Sequence, residues 1–219
     1  MLDTVVALRA LGVRIGDSPI LRDLDLDVVG GEAVGLIGGN GSGKTTLLRV
    51  IATLLVPSRG DGTVLGADLR DESRYEVRHR IGLIGHTPSL YPNLTLEENL
   101  AFVARMTGVA TGRVGEVLDQ VGLGLARGRS AAACSHGMQR RVEFARLMMT
   151  RPDLILLDEA HAGLDPQAGD LVAHLVAGVR ERGGAAVVVS HEHRRIAPLV
   201  GRFVELRDGA ITADARPRT

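Results

Sequence analysis

One run of residues constrains this chain more than any other: AVGLIGGNGSGKTTLLRVIATLL at 33–55. Ala33, Val34, Leu36 and Ile37 are apolar on both parities, the pattern of a strand buried on both faces of a parallel sheet. Leu47, Leu48, Ile51, Ala52 and Leu55 then recur at helical spacing. Between the two, Gly38, Gly39, Asn40, Gly41, Ser42, Gly43, Lys44 and Thr45 fit the pattern G-x-x-x-x-G-K-S/T, and Thr46 follows directly. A strand before that pattern and a helix after it are the context in which it binds phosphate. Glycines let successive backbone N–H groups turn inward around phosphate oxygens, and a helix N-terminus adds positive potential. Lys44 neutralises the outer phosphates, and Thr45 offers its hydroxyl to Mg²⁺.

The lysine stands out for a second reason. Of 26 basic residues, 25 are arginine and one is lysine, and that one is Lys44. A compact ammonium on a flexible stem reaches between phosphates in a way the broad planar guanidinium does not. Other bulk features narrow the function. Formal net charge is zero, and the aromatics number two Tyr, three Phe and no Trp. Neither a basic stripe nor a set of base-stacking rings is easily assembled from these, so nucleic acid is not an expected partner. Cys134 is alone, which excludes an intrachain disulfide framework and suits a reducing compartment. The N-terminus carries Asp3 and no long apolar core, unlike a secretory signal. No apolar run approaches the roughly 18 residues that span a bilayer. If the protein works at a membrane, another chain supplies the spans.

Along the chain, Val5 to Leu8, LRDLDLDVV at 21–29 and EAVGLIG at 32–38 read as strands, the second with one wet face. Pro57, Gly60 and Gly62 are expected to end the helix in a turn, followed by short strands at TVLG and IGLIG. From Thr95 the pattern becomes helical. Thr95 and Glu98 form a capping box, Gly108 stops that helix, a second covers Val114 to Val121, and a third begins near Ser135 with Val142, Ala145 and Met149 facing inward. Alternation then returns, with strand DLILLDE, a helix from Pro166 to Arg182 capped by Asp165, strand AAVVVS, a short helix, and a hairpin turning at Asp208-Gly209. The tail after Thr212 is expected to be loose. This order argues for an α/β sheet with a helical insertion.

LILLDE supplies the other half of a nucleotide site. Four apolar residues make a core strand, and two acids stand at its C-terminal end, where open α/β sheets bind ligands. Asp158 is expected to hold hydrated Mg²⁺, and Glu159 to orient or deprotonate the attacking water. Together with the glycine loop they point to phosphoryl transfer from a nucleoside triphosphate.

From Asp17 to Gly209 the order of motifs resembles the ATP-binding cassette (ABC) ATPases. CSHGM followed by QRRVEFARLMMTRPDLILLDEAHAGLD is similar to that family's signature helix, Walker B strand and D-loop in unbroken register, and Ser190-His191 to its switch histidine. The resemblance implies a P-loop NTPase core with a RecA-like mixed sheet, an N-terminal antiparallel β subdomain and an inserted α-helical subdomain. The core falls in 1–85 and 151–219, the helical part in 86–150. It implies that Ser135 and Gly137 contact the γ-phosphate held by a second copy, that His191 bonds the γ-phosphate and attacking water in its own copy, and that Asp165 crosses the dimer interface. It also implies ATP hydrolysis with Mg²⁺, a homodimer or paired cassette, and a cytoplasmic place on the inner face of the membrane. There a separate transmembrane subunit would be received near Leu90, Tyr91, Pro92 and Leu94.

Four departures from the family pattern stand out. Ile15 stands where an aromatic usually stacks on adenine, suggesting weaker or less base-selective binding. His86 stands at the loop glutamine, as a metal-site or water-bonding polar substitute. Cys134, His136 and Met138 replace Leu, Gly and Gln in the signature, and Ala160-His161 replaces Pro-Thr. GHTPSLYPNLTLEENL is most similar to the haem exporter of cytochrome c maturation, with drug-export cassettes close. The rival readings are a regulatory ATPase with no membrane partner and a GTPase, whose guanine-reading motif needs an additional lysine.

Overall fold

The computed structural model describes residues 3–159, 166–191 and 193–215. In chain order its strands are β1 (Thr4–Ile15), β2 (Ser18–Val29), β3 (Ala33–Ile37), β4 (Arg59–Val64), β5 (Ala67–Asp68), β6 (Ile81–Ile84), β7 (Leu154–Asp158), β8 (Ala185–Val189), β9 (Arg202–Arg207) and β10 (Ala210–Ala215). The helices are α1 (Lys44–Ile51), α2 (Ser73–Glu76), α3 (Leu96–Thr107), α4 (Arg113–Gln120), α5 (His136–Thr150), α6 (Pro166–Glu181) and α7 (His193–Ile196), with short 3₁₀ turns between some of them. The chain divides into two compact units: Met1–Leu83, Pro152–Glu159 and Val176–Thr219 in the first, Ile84–Arg151 and Ala160–Leu175 in the second.

The first unit is built on two sheets, one ordered β2-β1-β4-β5 and the other β10-β9-β3-β8-β7-β6. In the larger sheet β3 runs parallel to both β8 and β9, and β7 runs parallel to β8. All five residues of β7 and of β8 are buried, as expected of central parallel strands that read as unbroken apolar runs. The smaller sheet is antiparallel, and β2 alternates buried Leu24, Leu26 and Val28 with exposed acids, the mark of one solvated face. The mixed sheet and the antiparallel subdomain are the architecture the resemblance implied.

Four local expectations are corrected. β1 does not stop at Leu8 but continues to Ile15, through register shifts on either side of Leu11. Ala10 takes φ 46°, and its N–H is satisfied by Asp25 Oδ1 at 2.8 Å. α1 ends at Ile51 rather than running to Leu55, because Thr53 turns left-handed at φ 60° and is gripped by Arg78. That guanidinium donates to Thr53 Oγ1 at 3.0 Å and to its carbonyl at 2.7 Å. Gly60 and Gly62 lie inside β4, not in a turn. A Cβ on Gly60 would stand 2.3 Å from the Ala10 carbonyl oxygen, so glycine there permits the close approach of β1 at its irregular stretch. Finally, the last strand reaches Ala215, beyond the expected end of order at Thr212.

In the second unit α3, α4 and α5 pack on one another through Leu96, Leu100, Ala104, Val114, Val117, Leu118, Val142, Phe144, Ala145 and Met149, all buried. The capping box at Thr95 is complete: its hydroxyl accepts from Glu98 N at 3.1 Å, and Glu98 Oε2 accepts from Thr95 N at 2.8 Å. These bonds from the Thr95 backbone and hydroxyl hold the Glu98 carboxyl below its ordinary value. Gly108 closes α3 at φ 73°, a conformation that favours glycine. No helix among the described residues is long and apolar enough to cross a membrane.

Candidate active site

The phosphate-type loop occupies the turn from β3 into α1. Gly43 precedes the helix at φ 105°, no side chain caps it, and no acid stands in the first turn, so its positive end is left for an anion. Gly38 has φ 152°, and a Cβ there would stand 2.2 Å from the Leu206 carbonyl oxygen; one on Gly43 would stand 2.7 Å from Leu21 Cδ2. These two glycines thus serve close approach as well as conformation. The terminal hairpin β9–β10 walls the loop, since Gly209 N donates to the Ser42 carbonyl at 3.1 Å. Lys44 Nζ folds back over the loop and donates to the carbonyls of Gly38 at 2.9 Å and Gly39 at 2.7 Å.

Sheet register brings the acids to the same end. Leu36 of β3 and Asp158 of β7 both pair with Val189 of the intervening β8. Thr45 Oγ1 donates to Asp158 Oδ2 at 2.9 Å across 113 residues of sequence. A hydroxyl and a carboxylate so placed suit Mg²⁺, which takes one or two protein oxygens and completes its shell with phosphate and water. Among the described residues no cluster of three or more His, Cys, Asp or Glu could hold a metal by itself.

Glu159, directly after β7, has φ 52°, a left-handed backbone that costs a non-glycine residue about 1–3 kcal/mol. Its own N–H bonds the Val189 carbonyl at 3.1 Å, and its Oε1 accepts from His191 N at 2.9 Å. His191 Nδ1 lies 2.9 Å from the same oxygen. A carboxylate only accepts, so Nδ1 carries the proton and Nε2 is left for another partner. Glu159 is 17% exposed and His191 68%, so the acid is sheltered and the imidazole reaches solvent. Lys44, Thr45, Asp158, Glu159 and His191 therefore gather in the first unit. Ile15, 54% exposed, ends β1 there and pairs with Ser18 at the hairpin tip.

The other predicted residues lie in the second unit. Ser135 is the N-cap of α5, its Oγ accepting from Met138 N at 3.3 Å, and Gly137 follows in the first turn. Cys134 is buried, with Sγ 3.3 Å from the Ser130 carbonyl. His86 is exposed, but its backbone is not free. Arg140 Nη2 donates to the His86 carbonyl at 2.6 Å, and Nη1 donates to the Gly85 carbonyl at 2.6 Å and to Glu143 Oε2 at 2.8 Å. Glu143 Oε1 in turn accepts from Ser89 N at 3.1 Å. Burial pushes the Glu143 carboxyl above its ordinary value, against the pull of the Ser89 N–H and of Arg140. Neither Arg140 nor Glu143 was singled out in the sequence; the available signal was two charges spaced i, i+3 among the inward positions of an amphipathic helix. Asp165, Ala160 and His161 lie outside the described residues.

A glycine loop against a lysine and a buried aspartate, on a mixed sheet joined to an antiparallel subdomain and accompanied by a helical unit, defines a P-loop ATPase of the cassette class. The sequence model for "ABC transporter" matches residues 21–162, and the chain belongs to that family. It is an ATP-binding, ATP-hydrolysing subunit of that kind. It is 38% identical over 222 residues to the lipoprotein-releasing system ATP-binding protein LolD 2 of Caulobacter vibrioides, covering 95% of this chain and 97% of that one. It is 35% identical over 212 residues to the cytochrome c biogenesis ATP-binding export protein CcmA 2 of Cupriavidus metallidurans, covering 96% and 99%. Among solved structures, a dimeric ATP-binding cassette in a post-hydrolysis state bound to ADP and Pi matches with TM-score 0.87 and 26% identity, over 98% of this chain and 99% of that one.

Proposed function

We propose that this chain powers outward transport through a separate transmembrane subunit, by clamping two copies of itself on ATP. The observation that carries the chemistry is the 2.9 Å bond from Thr45 to Asp158, which joins the two motifs a nucleotide site requires. In this reading the N–H groups of Gly38 to Thr46 and the Lys44 ammonium hold the phosphates. Thr45 and Asp158 would hold Mg²⁺, which when bound offsets charge on the phosphate oxygens. Glu159 receives a proton from the attacking water as the water oxygen bonds the γ-phosphorus and the bond to the ADP oxygen breaks. His191, oriented by Glu159, bonds the γ-phosphate. Ile15 lies against the base without a stacking ring, His86 bonds the reacting water or its cation, and Ser135 and Gly137 complete the site of the second copy.

Leu90 and Leu94 are half-buried while Tyr91 and Pro92 are exposed, and the Tyr91 ring meets Phe102 edge-on at a 5.1 Å centroid distance. This stretch is the proposed seat of the membrane subunit, with the chain peripheral on the cytoplasmic face. Haem export for cytochrome c maturation is the cargo reading supported by the GHTPSLYPNLTLEENL stretch. The higher identity to the lipoprotein-releasing relative supports a second reading, release of lipoprotein. Affinity capture of the Glu159→Gln protein with MgATP from detergent-solubilised membranes tests all three. A polytopic subunit of the cytochrome c maturation type favours the first cargo, one of the lipoprotein-releasing type the second, and recovery of no membrane protein removes the transport reading.

A further inference from the structure

Arg140 is fully buried with Glu143 beside it, and its Nε has no hydrogen-bond partner. A buried ion pair is weak as a stabiliser, because desolvation of two charges offsets their attraction, and well-packed apolar residues of similar volume often replace one without loss. An unpartnered buried N–H adds a further penalty. The attraction between the two charges therefore does not by itself account for this pair. Its geometry is more informative. Both terminal arginine nitrogens and glutamate Oε1 bond the backbone from Gly85 to Ser89, some 54 residues distant in sequence, while Oε2 accepts from Arg140 itself and the Arg146 charge also acts on the carboxylate. A planar fork can hold two carbonyls and a carboxylate at once, which an ammonium cannot do with the same rigidity. The helix that carries the pair is the one that Ser135 begins.

We propose that Arg140 and Glu143 are positioning residues that fasten the His86–Ser89 segment to α5, so that His86 and Ser135 move as one body during the ATPase cycle. The proposal rests on the reading of His86 and Ser135 as nucleotide-facing groups. Substrate-positioning backbones matter because a displacement of about 1 Å can cost about 10²-fold in rate. The pair thus sets turnover rather than nucleotide affinity, which belongs to the glycine loop of the other unit.

The test is a mutant cycle on the full chain, with steady-state ATPase, nucleotide affinity and melting temperature measured together. The variants are Arg140→Met/Glu143→Leu, His86→Ala, and the two combined. We expect the apolar pair to melt below the parent, because Gly85 O, His86 O and Ser89 N lose their partners, while keeping its ATP affinity within about twofold when assayed below that melting temperature. Its kcat should fall by at least about tenfold. Added to His86→Ala, the pair should lower kcat little further, since both changes remove one coupled element. Arg140→Lys, which keeps the charge but not the fork, should lower kcat in the same direction and serves if the apolar pair does not fold. Parental kcat in the pair variant or in Arg140→Lys, with His86→Ala impaired, overturns the fastening alone. Effects of the pair and of His86→Ala that multiply independently overturn it as well. Parental kcat in His86→Ala would instead remove the role of His86, and the proposal with it.

Discussion

The two units make their sites by opposite means. In the first, the proposed chemistry rests on short side chains and bare backbone at strand ends: the loop after β3, Asp158 at the end of β7 and Glu159 one residue on. Strand register alone brings these groups level, since Leu36 and Asp158 both meet Val189. In the second, buried polar side chains hold stretches of backbone between the regular elements. Arg140 and Glu143 hold 85–89, and the buried Asn99 holds the next stretch, bonding Tyr91 N at 2.8 Å, Tyr91 O at 3.1 Å and Thr95 O at 2.9 Å. A sheet aligns its site through the repeat of its backbone; a helical unit must build alignment from individual hydrogen bonds. The first arrangement concentrates its polar groups at a few strand ends, and the second distributes them along its helices.

That contrast can be broken most sharply at Lys44. Lys44→Ala should abolish measurable MgATP binding or cut hydrolysis by more than about 10²-fold without unfolding the chain, as titration calorimetry and a phosphate-release assay would show. Glu159→Gln should bind ATP like the parent yet turn over about 10²-fold slower or worse, the loss expected when water activation goes; parental turnover would remove Glu159 from its role. Asn99→Ala should behave differently. It leaves several backbone groups of 91–95 without their partner and is expected to lower stability by about 1–3 kcal/mol while sparing ATP affinity, read by denaturant titration beside calorimetry. Weakened nucleotide binding in that variant would erase the division of labour between the units.

The smallest effect concerns the cap of α3. The Glu98 carboxyl sits below its ordinary value, so its contribution to stability is fully present above the ordinary value and is lost as pH falls from there through the lowered value of the folded state. Melting curves between pH 6 and 3 should therefore show a shallower acid decline for Glu98→Gln than for the parent. Because the group is exposed, the difference should be slight.

Much of the first unit was legible in the sequence because its determinants are local. A glycine-rich turn between an apolar strand and an amphipathic helix announces itself within 23 residues, and LILLDE within six. What escaped there was irregularity: Thr53 turning left-handed under Arg78, and Gly60 serving the approach of β1 rather than a turn. Both depend on partners far along the chain. The second unit disclosed its helices through Thr95, Glu98 and Gly108, but not what holds its loops. Asn99 looks like any polar helix residue, and Arg140 like one arginine among 25, until the fold shows that they face inward.

The terminal hairpin carries a lesson about what a fragment can do. Leu206 and Gly209 mould the curve of the glycine loop, although neither belongs to any nucleotide motif and both lie well past the stretch that matches the family. A protein shortened to residue 200 would display every recognisable signature intact and still lack the template against which Gly38 and Ser42 take their shape. Possession of the motifs is thus separable from possession of the activity, and the last strands of the chain mark where the two part company.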